Sequence, residues 1–124
     1  MNEKTRAAWV AIAAEFGLLN AAEVFNLLGL SGLEGTRNNL IAVQFNGVTF
    51  YPGFQFDAEK NQVRPGVAKI VSEADVFAIS HESLTLWMTS PTGQIAGSPR
   101  PVDVLASDPD TVATAFQNHF GVIW

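Results

Sequence analysis

The chain contains no cysteine, which excludes disulfides, thiolate zinc sites and cysteine nucleophiles. Histidine is almost as scarce. His81 and His119 are the two present, with no HxxxH or HxH spacing, so a histidine-based metal site has little support. His81 reads as an exposed residue at a helix start, beside Glu82 but not facing it. His119 reads as a last-turn residue, where an imidazolium suits the helix dipole. Basic residues are few: seven Lys or Arg stand against twelve Asp or Glu, a net charge of −5. Between Arg6 and Lys60 there is one, Arg37. That is a poor footprint for strong DNA binding, because phosphate contacts supply most non-specific affinity. No apolar run approaches the ~18 residues of a membrane span. The stretch from Ala7 to Phe16 is broken by Glu15 and lacks a convincing cleavage site, so it reads as an amphipathic helix and not a signal peptide. A cytoplasmic protein with no membrane partner is the expectation.

What is present is apolar material. Hydrophobic residues make up 48% of the 124 and charged residues 15%, enough for a core in one domain. Ala8, Trp9, Ile12, Ala13 and Phe16 fall on one face at helical spacing, and Gly17 stops that helix. Asn20 is a good N-cap for a second helix, Ala21 to Leu28, with Val24, Leu27 and Leu28 inward and Gly29 closing it. From Ser31 to Asn39 a short or irregular turn is expected, since Gly32 and Gly35 each cost a helix about 1 kcal/mol. Asn46-Gly47 between Ile41–Phe45 and Val48–Tyr51 predicts a type I′ hairpin, whose two central residues need positive φ. A polar turn through Lys60 and Gln62 follows, a candidate seam. Helices are then expected from Pro65 to Val76, His81 to Met88, Pro101 to Ala106 and Pro109 to Phe120. The fold class is therefore mostly α with a small β-hairpin. A winged-helix-like part (1–57) would pack on a four-helix C-terminal part (58–124), or the two would form one compact unit.

The inventory for catalysis is thin. The carboxylate pairs Asp57/Glu59, Glu73/Asp75 and Asp108/Asp110 sit in turns or helix ends, where solvation or capping accounts for them. Ser90-Pro91-Thr92-Gly93 is not a nucleophile elbow, and no phosphate loop or dinucleotide fingerprint occurs. No cofactor is expected, and the chain reads as a binding protein, not an enzyme. One binding mode is nucleic acid. The stretch Asn20–Ser31 resembles the first helix and turn of excisionase-like or MerR-like DNA-binding domains, with the hairpin as the wing. Asn20, Arg37, Asn38 and Asn39 would be the DNA contacts, although Asn38-Asn39 suits a turn equally well.

A second resemblance covers the chain from about Leu19 to its end. Leu86-Trp87-Met88-Thr89-Ser90-Pro91, Ile95-Ala96-Gly97, Arg100-Pro101-Val102-Asp103-Val104-Leu105 and Asp108-Pro109-Asp110-Thr111-Val112 occur in an order similar to the toxin-binding domain of the Xre/MbcA/ParS antitoxins. Phe50-Tyr51-Pro52-Gly53-Phe54-Gln55-Phe56-Asp57 looks like the Tyr-Pro-x-Phe-Gln-Phe-Asp element of actinobacterial members that join a small helix-turn-helix to this domain. Trp87, Pro91, Gly97, Pro101, Asp103 and Leu105 are the motif residues of the second half. Met88 departs from the commoner Leu, the loop from Gly97 to Pro101 is slightly long, and the recognition-helix region is eroded.

The resemblance implies a type II toxin–antitoxin protein that neutralises a RES-type, NAD-using toxin by covering its active-site entrance. It also implies a homodimer and weak autoregulation at operator DNA. The residues expected to meet the toxin are Phe116, His119, Phe120, Val122, Ile123 and Trp124, because aromatic anchors near a chain end favour interfaces. Phe116 and Phe120, four apart on the last helix, are more often core residues, and the tail Val122-Ile123-Trp124 equally suits folding back on the chain. The alternative function is a phage or prophage excisionase-like transcriptional regulator.

Overall fold

The computed structural model describes residues 2–36 and 39–121, with the side chains of 30–36 excepted. Arg37, Asn38, Val122, Ile123 and Trp124 lie outside the described residues.

Helix α1 runs Glu3–Phe16. The Asn2 side chain accepts the Thr5 N–H at 2.8 Å, and Gly17, at φ 81°, ends the helix. Trp9 and Ile12 are buried, while Ala13 of the expected apolar face is exposed. Strand β1, Leu18–Leu19, leads into α2, Ala21–Thr36. A reciprocal box starts α2: Asn20 Oδ1 accepts from Glu23 N–H at 2.8 Å, and Glu23 Oε1 accepts from Asn20 N–H at 3.0 Å, which satisfies two orphan donors together.

Gly29 does interrupt α2, at φ 76° and ψ 170°. Helix then resumes to Thr36 where an irregular turn was expected. The penalty for Gly32 and Gly35, about 1 kcal/mol each, is within what tertiary context overrides. The result is a helix–turn–helix with its turn at Gly29.

The hairpin follows as β2, Val43–Phe45, and β3, Val48–Pro52. Asn46 and Gly47 both have positive φ, the type I′ geometry that Asn-Gly predicts. Strand β1 pairs antiparallel with β3, Leu18 opposite Pro52 and Leu19 opposite Tyr51, giving the order β1–β3–β2. Helix, short strand, two helical segments, then a hairpin whose second strand takes up the first is the connectivity of a winged helix.

A 3-10 turn, Gly53–Gln55, leads to β4, Phe56–Asp57, which pairs with β5, Gln62–Val63. The polar turn expected here is the bend of this second small sheet. Asp57 Oδ1 accepts the Glu59 and Lys60 N–H groups at 3.1 and 3.3 Å.

The C-terminal part comprises α3, Val67–Val76, α4, His81–Met88, α5, Pro101–Leu105, and α6, Pro109–Phe120. Helix α3 starts two residues after Pro65 because Gly66 takes φ 89°. A Cβ there would also sit 2.6 Å from Pro109 Cβ, so glycine lets the start of α6 close onto this turn. Ser80 caps α4 through the Ser83 N–H at 3.0 Å. Asp108 caps α6 through the Thr111 N–H and hydroxyl, at 3.2 and 2.6 Å, with Pro109 in the first turn as expected.

Ile41 and Phe54 belong to the same buried cluster as Ile70, Val71, Leu84, Trp87, Met88, Leu105, Val112 and Phe116. The main core thus continues across residue 57. Two smaller clusters hold the winged part: Trp9, Ile12 and Val43 with Phe45, Phe50 and Leu86 around them, and Val24, Leu40 and Phe56 with Leu27 and Leu28. No helix of the described residues is long and apolar enough to cross a membrane.

Candidate functional site

The apolar end of α6 meets the C-terminal end of α4 at an open groove of about 620 Å³. Its walls are Leu86 and Trp87 from α4, the loop Ser90–Gln94, and His119 and Phe120 from the last turn of α6. Local bonds set each wall. Thr89 Oγ1 donates to the Thr85 carbonyl at 2.9 Å and Ser90 Oγ to the Leu86 carbonyl at 2.7 Å, so hydroxyls satisfy carbonyls that α4 leaves open at its end. The loop then closes on itself: Thr92 N–H donates to the Pro99 carbonyl and Ser98 N–H to the Ile95 carbonyl. Gly97 and Ser98 both take positive φ, and glycine does so without a Cβ penalty.

Trp87 is the hub of an aromatic cluster. Its ring meets Phe116 edge-on at 5.7 Å, Phe120 at 5.9 Å and His119 at 6.0 Å, tilted 31°. His119 in turn packs edge-on to Phe120 at 4.5 Å. Trp87 is 8% exposed, and its Nε1 has no hydrogen-bond partner among the described residues. Among the described residues, His119 is the one titratable side chain on the groove wall. Among the described residues no group of three His, Cys, Asp or Glu is placed to hold a metal. Such a wall suits insertion of apolar or aromatic side chains.

The toxin-contact set divides. His119 is exposed and Phe120 half-buried, so both reach this surface. Phe116 is 0% exposed, stacked on Phe77 at 6.2 Å and against Trp87. It is a core residue that holds α6 in place, a correction to its reading as a contact. Val122, Ile123 and Trp124 lie outside the described residues, immediately after Gly121.

The motif residues of the second half frame the groove or brace it. Trp87 and Pro91 line it, and Gly97 turns the loop behind it. Pro101 opens α5 and Leu105 is buried beneath. Asp103 ties α5 to α1 through Arg100. The guanidinium donates to Asp103 at 2.8 and 2.9 Å and to both oxygens of Glu15 at 2.8 and 2.7 Å, while lying 5.7 Å over the Phe16 ring. Hydrogen bonding to Arg100 holds the Glu15 and Asp103 carboxyls below their ordinary range, and the same bonds push Arg100 up.

The motif residues of the first half are structural. Gln55 is fully buried. Its Oε1 accepts the Ile41 N–H at 2.7 Å, and its Nε2 donates to the Ile41 and Pro52 carbonyls at 2.9 and 3.1 Å. Phe54 and Phe56 enter two different core clusters, Tyr51 and Pro52 pair with β1, and Asp57 makes the turn.

Of the candidate DNA contacts, Asn20 uses its side-chain oxygen in the α2 cap, and Asn39 is exposed. Arg37 and Asn38 lie outside the described residues. The wing presents Val48, 49% exposed, at its tip.

Two residues escaped the sequence reading. His81 is not an exposed helix-start residue: its side chain is 20% exposed, and Nδ1 accepts the Ala42 N–H at 3.0 Å. Glu82 Oε2 accepts the Gln44 N–H at 3.0 Å. Together they dock β2 on α4. No local pattern announces this, because the partners lie 39 and 38 residues away.

No family model and no curated protein matches the chain. Among solved structures it is similar to one described as "NMR structure of Rv2175c", with a TM-score of 0.70 and 19% sequence identity, covering 86% of this chain and 82% of that one. At that identity the likeness shows the fold alone: a mostly α chain with small antiparallel sheets.

Proposed function

We propose that this chain is an antitoxin-like protein that neutralises a RES-type toxin by direct contact, using the α4–α6 end as its docking surface. The observation that carries this reading is the groove itself. Trp87, Pro91, His119 and Phe120, drawn from separate stretches of the antitoxin-like sequence, converge on one open, aromatic wall. The chain leaves α6 beside that wall and continues through Val122, Ile123 and Trp124. The activity is binding and needs no cofactor.

The test is co-expression with the product of an adjacent RES-domain gene. Full-length chain should restore growth and co-purify with the toxin. Phe120→Ala and a truncation after Gly121 should each weaken rescue while leaving the fold intact by circular dichroism. A toxin that remains active and unbound beside well-folded full-length chain refutes the proposal.

A second reading, a phage or prophage excisionase-like DNA-binding regulator, is favoured by a different observation. The β1–β3–β2 sheet beside a helix pair broken at Gly29 supports a recognition segment and a wing. The two readings are compatible, since an antitoxin of this kind would also bind its operator, as a homodimer on a palindromic site. With a net charge of −5, few phosphate contacts are available, so the salt dependence of DNA binding should be shallow, a slope of about −0.9 per contact.

A further inference from the structure

We propose that the seam between the hairpin and α4 is a pH-sensitive latch, closed by neutral His81 and opened when its ring takes up a second proton. Strand β2 is an edge strand. Val43 and Phe45 stand opposite Phe50 and Val48, and in an antiparallel ladder alternate residues turn their amides outward. An edge of that kind normally leaves its donors to solvent or to another strand. Here two consecutive side chains at the start of α4 take them: Ala42 N–H donates to His81 Nδ1 and Gln44 N–H to Glu82 Oε2, each at 3.0 Å.

The first of these bonds requires a lone pair on Nδ1. The neutral ring therefore carries its proton on Nε2, which donates to Asp75 Oδ1 at 3.1 Å. A second proton sets N–H against N–H at the Ala42 contact, and the attraction becomes repulsion. The same proton turns the Asp75 contact into an ion pair. The charged ring is thus held by α3 and released by β2.

Asp75 faces the ring from α3. On α4 the neighbouring Glu82 is engaged by Gln44, and β2 presents backbone amides to α4. Trp9, Val43, Phe45, Phe50 and Leu86 keep the rest of the hairpin packed, so opening is confined to the base of β2. The latch is independent of which partner the protein binds.

The experiment is amide hydrogen exchange by NMR on the full chain at about pH 7.5 and about pH 5. The Ala42 protection factor should fall ~tenfold or more in wild type, with amides inside α6 unchanged. His81→Asn places an oxygen where Nδ1 stands and cannot be protonated, so Ala42 should stay protected at both pH values. Should His81→Asn fail to fold, the wild-type ring still decides: nitrogen shifts must report the Nε2–H tautomer at high pH and co-titrate with Ala42 protection. Unchanged Ala42 protection in wild type, an equal loss in a folded His81→Asn, or an Nδ1–H tautomer at high pH would each overturn the proposal.

Discussion

Replacing Gln55 with Leu removes an amide that serves three backbone groups at once. The side chain is 0% exposed and bridges the Ile41 N–H, the Ile41 carbonyl and the Pro52 carbonyl. Leucine fills much of the volume but pairs with none of them. An orphaned buried donor or acceptor costs about 1–3 kcal/mol, and the N–H, having a single proton to place, suffers most. The expected loss is about 3–5 kcal/mol, a large share of the 5–15 kcal/mol that holds a typical domain. For a chain of this length that corresponds to a fall of roughly 12–19 °C in Tm. The assay is thermal and urea unfolding with the slope m compared, because an altered m would signal a changed end state and not a lost bond. Gln55→Glu sharpens the test. An ionised carboxylate cannot donate to the two carbonyls, whereas a protonated one can donate to one. Its deficit against wild type should therefore shrink as pH falls. A Gln55→Leu variant melting within about 2 °C of wild type would refute the reasoning.

Gly53→Ala should be severely destabilising, since a Cβ there runs into the Phe16 carbonyl oxygen, while Gly93→Ala, with open space around it, should melt near wild type; equal effects would overturn the close approach of the 3-10 turn after β3 to the end of α1. Arg100→Met should flatten the acid limb of stability. Because Arg100 holds Glu15 and Asp103 down, their contribution is present above the ordinary carboxylate range near pH 4 and is lost as pH falls through the lowered values. Urea midpoints of wild type and variant should therefore converge between about pH 5 and pH 2, and parallel curves would exclude the clamp as the cause. Asp108→Ala should remove the α6 cap, read as a lower urea midpoint with m unchanged.

Much of the fold was legible in local chemistry. Asn46-Gly47 specified a I′ turn because both positions need positive φ. Asp108 and Ser80 specified helix starts because their side chains accept amides three residues on, and Pro109 because its fixed φ suits a first helical position. Each of these signals closes within one turn of chain, so no knowledge of the rest of the molecule is needed. The groove was half legible. Trp87 and Phe120 stood out by type, but spacing on a helix did not separate Phe120 at the rim from Phe116 in the core.

The remainder depended on partners distant in sequence. Leu18-Leu19 is a strand only because β3 returns beside it, and two residues carry no period of their own. Gly66 delays α3 because Pro109 presses on it. Gln55 stands in an aromatic motif, but only the fold shows the three backbone groups it serves, and His81 looked exposed until Ala42 arrived at its ring. The sequence by itself determined the capped helices and the turn-closed hairpin, whose bonds are short-range. The tertiary structure alone decided which polar side chains are buried and bonded, because that depends on which segments meet.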